Sequence, residues 1–222
     1  MGKRKPGGKI ADPAAHADRT GRGPFRIWRE VDQWGELAPH YTTLTRFGQV
    51  DGVKWYNNCG PTAVTNLLVM LRRRAGRPGT LREDLDLYAR AARYGTRRLF
   101  YVNARRGPVR GTSDLRAGTY LRRMFAKLLG MRPAIRFRRA TEANLRQSLD
   151  RGALLYLLLR RHPAYGDHHL VGYGWTAVRS ETTGAVRTYL KVSDGHAAAP
   201  RYLDLGGCKG YLRFYYEILP PQ

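Results

Sequence analysis

The apolar positions of this 222-residue chain change period part-way along it. Residues 63, 64, 67, 68 and 71 are apolar, the spacing of one helical face. Pro61 suits the first turn of that helix. Arg72, Arg73 and Arg74 suit its negative C-terminal end, and Gly76 with Pro78 stops it. Thr80 to Arg93 reads as a second, charged helix. Ser113 caps a third, with Leu121, Met124, Phe125 and Leu128 on one face and Gly130 past its end. Thr141 caps a short fourth carrying Leu145 and Leu149, closed near Gly152. Beyond that point Ala153–Leu159, His168–Trp175, Val186–Ser193 and Tyr211–Leu219 read as strands, with turn chemistry at Gly166 and Thr183-Gly184. Helices followed by strands predict an α+β domain with an antiparallel sheet, over residues 25–222. Residues 1–24, rich in Gly, Pro, Ala and charge, read as a flexible basic arm.

Composition narrows the class. The hydrophobic share of 42% suits a packed core, and only two cysteines occur, Cys59 and Cys208, so no disulfide framework is expected. No apolar run approaches the roughly 18 residues of a membrane span. The basic N-terminus is not followed by the apolar stretch of a signal peptide. A cytoplasmic location is the default expectation, and a mature secreted protein fits the same sequence. Lys and Arg number 40 against 17 Asp and Glu, a formal net charge of +23. That charge predicts non-specific polyanion binding and favours acidic substrates. Neither a zinc-ligand spacing nor a glycine-rich phosphate loop occurs, so no metal and no cofactor is expected.

Candidate chemistry centres on Cys59, in Trp55-Tyr56-Asn57-Asn58-Cys59-Gly60-Pro61-Thr62-Ala63. This thiol stands at the start of a helix, where free amides and the positive dipole end favour an anion. The expectation is a lowered pKa and a nucleophilic thiolate. Downstream, His168 or His169 is available as a base and Asp194 as its orienter. Adjacent residues of a strand face opposite ways, so only one of the two histidines can serve. Cys208, in a glycine-flanked segment with no capped helix after it, reads as structural.

The segment Asn58-Cys59-Gly60-Pro61-Thr62-Ala63 resembles the nucleophile motif of papain-like cysteine peptidases, closest to the C39-like branch. The similarity spans about residues 50–205. It implies a central helix carrying the nucleophile, packed on a twisted antiparallel sheet that carries the base. The resemblance favours His168 as base, six residues before Gly174, over His169 as the alternative, and it puts Asp194 in the orienting position at the end of the next strand. The family commonly carries a Gln six residues before the nucleophile, where this chain has Val53. Asn58, Asn57 and Gln49 are the remaining oxyanion candidates, beside the Cys59 backbone N–H. The implied activity is cofactor-free, thiol-dependent hydrolysis of a peptide or isopeptide amide. The alternatives are acyl transfer, deamidation, or a non-enzymatic basic domain that binds polyanions.

Overall fold

The computed structural model describes residues 9–21, 23–38, 47–107 and 110–221. The described residues form a mixed α/β structure. Its strands are β1 (Phe25–Val31), β2 (Gln49–Val50), β3 (Val53–Lys54), β4 (Tyr101–Val102), β5 (Gly111–Thr112), β6 (Ala134–Arg139), β7 (Leu154–His162), β8 (Gly166–Ser180), β9 (Val186–Ser193), β10 (Arg201–Asp204) and β11 (Leu212–Leu219). Its α-helices are α1 (Pro13–Thr20), α2 (Cys59–Arg74), α3 (Leu81–Arg97), α4 (Asp114–Met124) and α5 (Glu142–Asp150). A π-helical turn, Phe125–Leu129, extends α4 to the left-handed Gly130.

One seven-stranded sheet organises the chain, in the order β10-β9-β8-β7-β11-β6, with β1 also paired to β8. Every pairing is antiparallel. Strand β8 is long enough to serve two partners along one edge. Its residues 166–172 pair with β7, its residues 175–180 pair with β1, and β9 lies along the other edge. The turn between β7 and β8 falls at Gly166 (φ +66°), a conformation that costs glycine little.

Both faces of this sheet are covered. On one, Val64, Leu67 and Leu68 of α2 and Leu121 and Met124 of α4 meet Tyr156, Leu158, Val171 and Tyr173. On the other, Leu145 and Leu149 of α5 meet Leu157, Leu159, Leu170, Leu190 and Val192. Helix α2 is buried on every side from Gly60 to Leu71, not only on the apolar stripe that its spacing predicts. Two of its inward polar residues are bonded, Thr65 Oγ1 donating to the Pro61 carbonyl at 2.8 Å and Asn66 Nδ2 to Ser193 Oγ at 2.8 Å, while Thr62 Oγ1 is buried without a partner. Arg72 ties the far end of α2 to the buried carboxylate of Asp84 in α3. Thr80 and Glu83 close a capping box at the start of α3.

The flexible arm expected over 1–24 needs correction from Lys9 onward. Asp12 caps α1 by accepting from the Ala15 N–H at 3.0 Å, and Ile10 bridges to Tyr202. Ile10 and Ala17 are buried with Phe25, Val178 and Tyr189 in a small core of their own. Ile10 and Ala17 dock this segment, although its composition is that of a linker. Residues 1–8 lie outside the described part. Among the described residues no helix is long and apolar enough to cross a membrane.

Deletion of residues 1–21 is predicted to cost about 2–4 kcal/mol of burial and to lower Tm by roughly 5–10 °C. Differential scanning calorimetry of the truncated chain measures this. An unchanged Tm contradicts the docking.

Candidate active site

The loop before Cys59 is fixed by side chains from β4 and α3. The Tyr56 N–H donates to Asn103 Oδ1 at 2.7 Å, and the Tyr101 hydroxyl donates to the Tyr56 carbonyl. Asn57 adopts φ +49° while its amide donates to the Ala104 carbonyl at 2.6 Å. The Asn58 amide donates to the Tyr88 hydroxyl at 3.0 Å. Trp55 packs with Tyr88 and Tyr101 beneath the loop. The chain thus enters α2 in one conformation, with Cys59 as the first helical residue. Gly60 is required there by space: a Cβ would fall 1.9 Å from Thr112 Oγ1. Strand β5 therefore lies directly against the helix start.

The sheet delivers His169, not His168, to that helix start. His169 pairs across β7 with Leu158 and shares its face with Val171 and Tyr173, which pack toward α2. The backbone N–H groups of His169, Gly60 and Cys59 lie near enough to the Cys59 thiol to pull its pKa down. Two atoms distinguish the His169 ring. Its Nε2 lies 3.4 Å from Asp114 Oδ1, and its Nδ1 is buried with no hydrogen-bond partner in the structure. The Tyr156 ring packs on His169 at 5.4 Å, and its hydroxyl is likewise buried and unpartnered.

His168 points to the other face of the sheet. Its ring stacks on Tyr165 at 5.3 Å and His196 at 4.9 Å, and its Nε2 donates to the Asp194 backbone carbonyl at 2.7 Å. The carboxylate of Asp194 accepts from the Tyr165 hydroxyl at 2.9 Å and from the N–H groups of His196 and Ala197 at 2.8 and 3.1 Å. It holds the turn after β9. The expectation of His168 as base and Asp194 as its orienter to Cys59 is thus corrected in the structure: these two meet each other, on the wrong face of the sheet. The cause is local. Gly172 and Gly174 of β8 face consecutive residues of β9, Val192 and Lys191, so Tyr173 is an inserted residue. Counting back from Gly174 crosses this bulge, and one residue of slip exchanges the faces.

Asp114, at the first turn of α4, takes the place expected of Asp194. It precedes the histidine in the chain. Its other oxygen, Oδ2, receives Arg160 at 2.7 Å, and Arg160 also reaches Asp167 at 3.3 Å. Sequence offered one weak signal for Asp114, an acidic residue in a helix's first turn, which serves capping equally well. Thr112 and Tyr156 carried none.

Electrostatics at the site are set by burial. Cys59 remains half-buried, yet its thiol is crowded enough that burial raises its pKa. The neighbouring backbone N–H groups pull the other way without prevailing, and the Asp114 charge adds to the rise. This shift runs against the expected thiolate and favours the protonated thiol. Burial also lowers His169 to about 4, aided by Arg160 and opposed by the Thr112 backbone bond and Asp167. Asp114 is raised by burial, with Arg160 opposing. Burial thus favours the neutral form of both the Cys59 thiol and the His169 imidazole.

The expected oxyanion side chains are otherwise engaged or distant. Asn57 is exposed and bonded to Ala104, Asn58 donates to Tyr88, and Gln49 is exposed in the β2–β3 hairpin opposite Lys54. The N–H groups at the start of α2 remain as donors. Cys208 is buried, with its sulfur 3.6 Å from His162 Nε2. His162 Nδ1 accepts from the Ala164 N–H at 3.2 Å, so the neutral ring carries its proton on Nε2 and has no lone pair for the thiol. Burial pushes Cys208 up to about 12. No group of three or more His, Cys, Asp or Glu among the described residues is arranged to hold a metal ion.

No protein-family model matches the chain, and no curated protein matches it.

Limiting iodoacetamide should label Cys59 before Cys208, and the Cys59 rate should keep rising with pH above neutrality, as for a protonated thiol. Peptide mapping by mass spectrometry measures both. A rate already at its plateau by pH 6 signals a thiolate–imidazolium pair and contradicts the neutral one.

Stability carries a second signature. His168 and His169 are each lowered by burial to about 4 from 6.5, so between those values the unfolded chain binds protons that the native chain does not. Their contribution is complete above pH 6.5 and is lost as pH falls through 4. Urea midpoints should therefore fall across this window, and H168Q should flatten the slope by about one proton. A midpoint flat from pH 7 to 4 contradicts the burial of both rings.

Proposed function

We propose that the protein is a papain-like thiol hydrolase that cleaves a peptide or isopeptide amide through Cys59, His169 and Asp114. The observation that carries this reading is the pairing at the start of α2. A half-buried cysteine, the first residue of a helix, stands beside a histidine whose Nδ1 is buried and free and whose Nε2 faces a carboxylate. The segment from Asn58 to Ala63, similar to the nucleophile motif of that superfamily, supports it.

The chemistry follows from the neutral resting pair. With its proton on Nε2, directed at Asp114, His169 holds a lone pair on Nδ1. As the sulfur bonds to the substrate carbonyl carbon, Nδ1 takes the thiol proton, and the imidazolium so formed is stabilised by Asp114. The carbonyl electrons move onto oxygen, which the N–H groups of Cys59 and Gly60 receive at the positive end of α2. Collapse breaks the C–N bond, and the leaving amine takes the proton from Nδ1. Water then attacks the thioester with His169 as its base. The acid leaves, and the thiol regains its proton.

Peptide-library cleavage followed by mass spectrometry tests the assignment. C59A and H169A should abolish turnover, and D114N should lower kcat about a hundredfold or more. H168A should retain kcat within a few-fold while losing stability. Turnover lost in H168A but kept in H169A overturns the assignment.

A further inference from the structure

Strand β1 brings an apolar and a cationic surface together at the far end of β8 from His169. Among the described residues β1 pairs along one edge only, with residues 175–180 of β8. Its other edge therefore presents N–H and C=O groups without a strand partner. Ile27 faces Val178 and Arg29 faces Ala177, which leaves Trp28 as an extra residue outside the ladder. Trp28 is 59% and Ile27 58% exposed. Large apolar residues left this open side by side are uncommon unless something covers them. Arg179 follows His169 by some ten residues of β8, roughly 30 Å at the rise of a strand, so this surface stands apart from Cys59.

One cleft of about 530 Å³ joins these groups, since Arg26, Ile27, Trp28, Arg179 and Glu181 all line it. Arg26 and Val186 each pair directly with Arg179 across the ladders, so the three side chains share one face of the sheet. Trp28 belongs to that face as well: the Arg179 guanidinium lies over its ring, 5.8 Å from the centroid. Arg26 is committed to Glu181. Arg179 has no carboxylate partner among the described residues. A guanidinium over a ring keeps its in-plane N–H groups free to donate, so Arg179 can still take a carboxylate.

We infer that β1 and this cleft form a docking edge for an extended, acidic segment of a partner protein. The segment adds as a strand to the open edge of β1, covers Trp28 with an apolar side chain and pairs a Glu or Asp with Arg179. The inference does not rest on the hydrolase reading. Charge decides the occupant. A second copy of β1 set against this edge would bring Arg26 and Arg29 against the same arginines, in a chain of net charge +23. Glu30 gives no relief, because Thr176 and Lys191 hold it at 3.4 and 3.5 Å. An acidic segment meets the same positions favourably. A peptide is favoured over single-stranded nucleic acid on two grounds. The open edge offers backbone donors and acceptors at strand spacing, which another extended peptide matches. Among the described residues lining the cleft there is one ring, Trp28, where a run of stacked bases needs several.

Fluorescence anisotropy on the full chain carrying C59A, which excludes cleavage of the probe, tests the docking edge. The probes are a fluorescein-labelled peptide of alternating Glu and Val, the same peptide with Gln for Glu, the same with its backbone amides N-methylated, and an oligothymidine of similar length. The Glu–Val peptide should bind roughly tenfold more tightly than either peptide control. W28A and R179Q should each weaken it about three- to tenfold, and R179Q should also reduce its salt sensitivity. Both variants alter exposed residues, circular dichroism verifies their fold, and the peptide controls need no variant. Equal affinity for the N-methylated peptide overturns strand addition, and unchanged affinity in both variants overturns the cleft. Oligothymidine binding that exceeds peptide binding and disappears in W28A overturns the choice of a peptide. A concentration-dependent dimer in analytical ultracentrifugation that W28A abolishes assigns the edge to a second copy and overturns it equally. Turnover by the Cys59-containing chain is read separately and bears on the hydrolase alone.

Discussion

Strand β8 is buried on both faces, and its two-residue period decides which side chains can meet. His169, Val171 and Tyr173 are committed to the layer of α2, while His168 and Leu170 are committed to the layer of α5. Neither histidine can cross without moving every neighbour to the wrong core. Helix α2 is fixed in turn by its own burial, from Gly60 to Leu71, and by Arg72 against Asp84. The thiol and the imidazole are thus held by two rigid elements, whose packing determines how the two groups face each other. Loop residues contribute only the entry to α2, and they are locked by Asn103, Tyr101 and Tyr88.

The same burial that fixes the geometry sets the protonation states. A helix start favours an anion by about 0.3–1 kcal/mol at an exposed site, and the burial around Cys59 works against it, raising the thiol pKa. His169 stays neutral for the same reason. Asp114, held by Arg160, stands beside Nε2 of that neutral-favoured ring.

Much of the fold was legible because local chemistry and tertiary structure agree. The starts of α2, α3, α4 and α5 fall at or next to the residues that Cys59, Thr80, Ser113 and Thr141 mark, and β9 occupies the predicted Val186–Ser193. Strands β1 and β6 were not legible, since five consecutive residues of β1 are exposed and β6 is an edge rich in arginine. Helix α1 was hidden in linker-like composition. At the site, Cys59 was readable from its helix start alone, and the two histidines were readable as a pair. The choice between them was not, because a bulge at Tyr173 leaves no mark in sequence. Asp114 was invisible for a different reason: its partnership with His169 exists only after α4 has docked on the sheet.

The assignment of Cys59, His169 and Asp114 turns on one ring. Long-range nitrogen–proton NMR on protein labelled with ¹⁵N-histidine reads the tautomer and protonation of each imidazole. At pH 7 His169 should be neutral, with its proton on Nε2 and a bare Nδ1, and alkylation of Cys59 should shift that Nδ1 while leaving His168 unmoved. A His169 imidazolium at pH 7, a proton on Nδ1, or a response to Cys59 alkylation at His168 and not at His169 would contradict it.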